Sequence, residues 1–194
     1  VLLDIILWCI TSMKRRIFFA DLTHTGRGIH APTFPLGIAY VASYAQKHFG
    51  EGFEIRIFRF PNDLAKAIIE EKPEVLCFSN YSWNFELSYK ISCLVKEMFP
   101  HTIIVFGGPN FPVSPQERIQ FLQERPAIDF YFQNEGEIGC TELLQKLQLY
   151  SFDVKALKGQ GELVTNVVYL RQREGCEKSG EGNERGTGDG ELMA

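Results

Sequence analysis

A chain of 194 residues, 45% of them apolar and including 16 Phe and 7 Tyr, can build one domain with a substantial core. Its net charge of −4 comes from the end of the chain, where six acidic residues face two basic ones from Glu174 onward, and residues 1–173 carry 18 of each sign. A neutral body without a basic stripe lacks the electrostatic footprint of a nucleic-acid binder, and charge points to no other partner class.

The first segment, "VLLDIILWCITS", is apolar for about a dozen residues, too few to span a bilayer. Its basic cluster, Lys14-Arg15-Arg16, follows the apolar run, the reverse of the order in a secretory signal. "MKRRIFFADL" from Met13 reads as a natural start, so residues 1–13 are expected to be an N-terminal extension, native or not. No membrane association is expected.

Apolar runs over residues 16–21, 53–60, 74–79, 102–108 and 128–133 predict five strands. Between them, amphipathic stretches at 35–49, 62–72, 84–99, 115–123 and 137–149 predict helices. Pro35 and Pro115 suit a first turn, Asn62 and Asn84 suit N-caps, and Gly50 suits a C-cap. Strict alternation with nearly all-apolar strands implies a parallel sheet covered on both faces. The expected fold is α/β: a flavodoxin-like (Rossmann-like), doubly wound, five-stranded parallel sheet of order 2-1-3-4-5, over residues 14–150. Residues 151–173 read as a linker or one or two extra strands, and the Gly/Glu-rich residues 174–194 as a disordered tail.

The five cysteines (Cys9, Cys77, Cys93, Cys140, Cys176) form neither a CxxC pair nor a CxxxCxxC triplet, so zinc-ribbon, thioredoxin-like and iron–sulfur spacings are absent. An odd count without a secretory signal fits a reducing, cytoplasmic location.

In an open α/β sheet, ligands bind beyond the carboxyl ends of the strands. The residues following the strands at that edge are small, polar or glycine-bearing: "ADLTHTGRGIHAPTFP", "SNYSWN", "GGPNFPVSP" and "NEGE". The turns at the opposite edge are ordinary. Gly107 and Gly108 read either as a tight strand exit or as bare backbone on which a large ligand lies, with Pro109 limiting the loop. Ser79 and Ser82 read as caps or as hydroxyl donors to a polar ligand. Glu135 and Glu137 suit a helix N-terminus, with Gly136 permitting close approach. His24 and His30 are the histidines at this edge, and a loop histidine is more often solvated than ligating. No catalytic triad, P-loop or GxGxxG fingerprint is present.

Three segments together resemble the cobalamin (vitamin B12)-binding domain found at the N-terminus of radical S-adenosylmethionine enzymes. They are "PLGIAYVASYAQKHFG", "VFGGPNFPVSPQE" and "DFYFQNEGEIGCTELL", in matching order over about residues 14–150. The resemblance implies a cobalamin laid across the carboxyl edge with its nucleotide tail against the sheet. It implies contacts from Ser79, Ser82, Gly107, Gly108, Pro109, Glu135 and Gly136. The DxHxxG cobalt-ligand motif of mutases is not reproduced in Asp21-Leu-Thr-His24-Thr-Gly26, so His24 is a weak candidate for metal ligation. The expected function is therefore cobalamin binding by a stand-alone or truncated part of such an enzyme, whose parent performs methyl transfer or radical chemistry. The chain is not expected to be catalytic alone. It carries no iron–sulfur motif, so catalysis requires a missing or separate radical S-adenosylmethionine domain. A degenerate Rossmann-like interaction module without a ligand is the competing reading.

Overall fold

A computed structural model describes residues 14–24, 34–172 and 190–194. The expectations for residues 1–13, for His30 and for most of the tail lie outside the described residues.

The elements alternate as the apolar runs require. Strands β1 (Arg15–Ala20), β2 (Phe53–Phe58), β3 (Val75–Ser79), β4 (Ile103–Gly107) and β5 (Phe130–Phe132) are parallel, in the order β2-β1-β3-β4-β5. Helices α1 (Leu36–Phe49), α2 (Pro61–Glu71), α3 (Phe85–Met98), α4 (Pro115–Gln123) and α5 (Gly136–Leu149) connect or follow them.

Alternate strand residues serve two separate cores. Ile17, Phe19, Val75, Cys77, Ile103, Val105, Phe130 and Phe132 pack under α1 and α5. Their neighbours Phe18, Ala20, Leu76, Phe78, Ile104, Phe106 and Tyr131 pack under α2, α3 and α4. Because both faces are covered, strand sequences of this type are apolar throughout rather than alternating. Helix α1 buries Ala39, Ala42 and Ala45, and these small side chains let it lie close to the sheet.

Local signals place the helix ends. Pro61 and Pro115 stand in first turns, where a missing N–H costs nothing. Ser114 caps α4 by accepting from the Glu117 amide at 3.3 Å, and its hydroxyl donates to the Glu117 carboxylate at 2.8 Å. Asn62 does not cap α2; Phe60 holds that position and Pro61 begins the helix. Gly50 ends α1 with φ 54°, a conformation suited to glycine.

Beyond β5 the chain does more than a linker would. A short helix α6 (Val154–Gln160), capped by Asp153, precedes strand β6 (Val167–Gln172). β6 pairs antiparallel with β5, and β7 (Gly190–Met193) pairs antiparallel with β6, giving seven strands. The final residues thus include a strand where composition predicts disorder. Among the described residues, no helix is long and apolar enough to cross a membrane.

Gly139 shows how tightly this extension docks, since a Cβ there would lie 2.5 Å from the Thr165 carbonyl oxygen. Gly139→Ala is expected to destabilise the fold by about 1–3 kcal/mol, because a rigid backbone must move. Urea unfolding should show a lower midpoint at unchanged slope.

Candidate functional site

Two asparagines beyond β3 organise the carboxyl edge of the sheet. Asn80 is fully buried, and its side-chain amide donates to the Asn110 carbonyl at 2.8 Å and to the Tyr131 hydroxyl at 3.0 Å. Asn110 returns a bond from Nδ2 to Asn80 Oδ1 at 3.0 Å. The Tyr131 hydroxyl donates in turn to the Gly108 carbonyl at 2.8 Å. Burial pushes the Tyr131 phenol well up, so it stays a donor. Each buried polar group here has a partner, which locks the β4 exit onto the β3 exit.

The glycine pair acquires a definite role from this lock. Gly108 adopts φ +132°, and a Cβ there would fall 2.6 Å from the Asn80 carbonyl oxygen. Its bareness therefore serves the chain's own backbone. Gly107 differs: its Cβ would press the Phe132 side chain, at 3.1 Å from Cβ, rather than a backbone carbonyl at 2.6 Å.

Asn84 joins the first and third strand exits. Its Oδ1 accepts from the Tyr81 amide at 2.9 Å, and its Nδ2 lies 3.0 Å from both Asp21 Oδ1 and Ser79 Oγ. Ser79 Oγ donates to the same Asp21 oxygen. The hydroxyl's one proton is thus committed, and Ser79 faces outward as an acceptor rather than the expected donor. Asn84 does stand at the N-cap position of α3, yet its side chain caps no helix amide.

Between the sheet, α1 and α5 lies a cavity of about 470 Å³. Ser79, Gly107, Gly108, Pro109, Glu135 and Gly136 all line it, six of the seven positions selected from sequence. Ser82 does not; it is exposed in the turn before α3. His24 is also off the cavity wall, exposed, with Nε2 donating to the Trp83 carbonyl at 2.6 Å. Trp83 stacks on Tyr81 with ring centroids 4.5 Å apart, and Tyr81 reaches the cavity.

The far wall comes from α1 through Gly37, Ile38 and Val41, residues that reading strand ends alone does not find. The cluster of small residues in "PLGIAYVASYA" is the sequence signal that a helix approaches something closely there. Gly136 sits where α5 meets α1, and its Cβ would come 3.1 Å from Val41 Cγ2. Cys77 stands on the sheet side; burial, helped by the neighbouring Cys140, pushes its thiol well above the usual range and keeps it neutral. The mouth carries Glu135 and Glu137 at the start of α5. No group of three or more His, Cys, Asp or Glu suited to a metal ion occurs among the described residues.

Residues 26–144 match the family model of the B12 binding domain. The chain belongs to the B12-binding domain family. Two curated relatives carry the domain within longer proteins. The cobalamin-dependent radical SAM methyltransferase TokK of Streptomyces tokunonensis is 30% identical over 141 residues, 70% of this chain and 19% of that protein. The 2-(S-pantetheinyl)-carbapenam-3-carboxylate methyltransferase of Streptantibioticus cattleyicolor is 31% identical over 134 residues, 67% of this chain and 18% of that protein. This chain thus spans under a fifth of the length of the curated relatives it matches. Among solved structures, OxsB, a cobalamin-dependent S-adenosylmethionine radical enzyme with aqua-cobalamin and S-adenosylmethionine bound, superposes with TM-score 0.58 at 16% identity. That match covers 83% of this chain and 21% of OxsB, and it shows the shared fold.

In this B12-binding domain the two glycines have separable roles. Gly108→Ala is expected to cost about 3 kcal/mol or more, from backbone strain and the clash with Asn80. Gly107→Ala should cost less, since Phe132 can yield by a few tenths of an ångström. Thermal unfolding of both variants checks the order, and equal losses would contradict it.

Proposed function

We propose that this domain holds cobalamin at the carboxyl edge of its sheet, with the nucleotide arm in the cavity between the sheet, α1 and α5. The observation carrying the reading is that six of the seven residues the resemblance implies border one cavity, in a domain of the B12-binding family. A volume of about 470 Å³ is that of a small-molecule pocket, suited to the side arm of a macrocycle rather than to the whole. The group fits the residues present: the glycines at the rim lack side chains, and the inner wall is largely hydrocarbon.

Gly107, Gly108 and Pro109 would support the entering arm, and Ser79 would offer it a hydrogen-bond acceptor. Gly136 and the first amides of α5 would lie beside it, where a helix N-terminus favours an anionic group. Val41 and Ile38 would exclude water from the inner part. Cobalamin supplies, when bound, a cobalt centre suited to one-carbon or radical chemistry. The assignment to a methyltransferase rests on the two curated relatives, and the S-adenosylmethionine-cleaving cluster would come from another domain or polypeptide. His24 takes no part as a cobalt ligand in this reading.

Hydroxocobalamin incubated with the purified chain is expected to remain after desalting, at about one equivalent by visible absorbance. Gly37→Trp, at a cavity-lining position where an added Cβ meets only Tyr81 Oη at 3.8 Å, should lower affinity by about tenfold or more while leaving the folded state intact by circular dichroism. Colourless wild-type protein would be the result expected of a ligand-free interaction module and would overturn the proposal.

A further inference from the structure

The strand register arranges the sheet side of the cavity in two rows. In the deeper row Phe19 pairs with Cys77 and Cys77 with Val105. In the outer row Ser79 pairs with Gly107 and Gly107 with Phe132. Phe19, Cys77 and Val105 are all buried and all border the cavity.

The deep row therefore presents two hydrocarbon side chains and one neutral thiol, which is a weak hydrogen-bond donor at best. Ser79 at the outer row has already given its proton to Asp21 and accepts from Asn84 at 3.0 Å. Ile38 and Val41 close the opposite side. A polar ring atom reaching the deep row leaves water and finds no strong partner.

Resting on the cobalamin reading above, we infer that this cavity selects among corrinoids by the base that ends the nucleotide arm. It favours bases whose far edge is carbocyclic, such as dimethylbenzimidazole or a phenol, over purines. Two methyl groups on a benzene ring bury against Ile38, Val41 and Phe132, in front of the fully buried Phe19 and Val105, without loss. Adenine in the same place strands an exocyclic amine and ring nitrogens, and one remaining lone pair on Ser79 satisfies a single donor. A hydrophobic pocket discriminates against such groups by about ten- to a hundredfold rather than absolutely.

The test is a visible-absorbance titration of the full chain with four corrinoids: cobalamin, p-cresolylcobamide, adeninylcobamide and base-free cobinamide. The expected result is similar affinity for the first two, within about threefold, and at least about tenfold weaker binding of adeninylcobamide. Cobinamide should also bind more weakly than cobalamin. Adeninylcobamide binding as tightly as cobalamin overturns the selectivity while leaving the cobalamin reading standing. Cobinamide binding as tightly as cobalamin does the same, since the base then lies outside the cavity. Retention of no corrinoid at all removes the proposed function and this inference with it.

Discussion

The backbone contact between Gly108 and Asn80 is the constraint on which the carboxyl edge depends. Parallel strands lose their ladder partners where they end, and β3 and β4 both turn away toward helices on the same face of the sheet. Here the two exits remain joined: the Asn80 amide donates to the Gly107 carbonyl at 2.6 Å, and Asn110 donates back to Asn80 at 3.3 Å. The side chains of Asn80, Asn110 and Tyr131 then close around this contact. A network of buried polar groups is stabilising only when every member is satisfied, and this one is. It makes two loops one rigid rim and fixes the opening of the cavity beside it.

Glycine consequently means different things at three neighbouring sites. At Gly108 the missing side chain admits another stretch of backbone, and a ligand need not touch it for the residue to be required. At Gly107 and Gly136 it lets Phe132 and Val41 approach the backbone closely. Bare backbone creates the cavity indirectly, by letting flanking side chains settle without filling it.

The five β–α units were legible because strands buried on both faces leave continuous apolar runs, and the sheet order followed. Helix α6 was missed because seven residues with one buried leucine carry almost no period. Strand β7 was missed because its pairing with β6 is a tertiary fact in a Gly-rich stretch. At the site, the rule that ligands sit at strand carboxyl ends drew attention to six residues that share one cavity wall. The direction of the Ser79 hydroxyl could not be read, since it depends on Asp21, 58 positions away. Ser82 was chosen for its chemistry alone, and the turn leaves it outside. The asparagines of "SNYSWN" held the better signal: Asn80 directly follows a fully buried strand, so its amide must find partners inside the fold.

The polarity of the cavity narrows what belongs in it. Its mouth carries two carboxylates, its depth is apolar, and no lysine or arginine appears among the described residues of its wall. A free nucleotide with a multiply charged terminal phosphate would meet Glu135 and Glu137 with no compensating cation among the described residues of the wall. A singly charged diester near the α5 amides is tolerable, because the helix N-terminus offsets one charge. The ligand that satisfies both ends is therefore long, weakly anionic part-way along, and apolar at its tip. That profile disfavours nucleotide and flavin phosphates on electrostatic grounds, independently of their missing phosphate loops. It agrees with the proposed arm of a macrocycle, whose bulk would stay outside the rim that Asn80 and Gly108 hold in place.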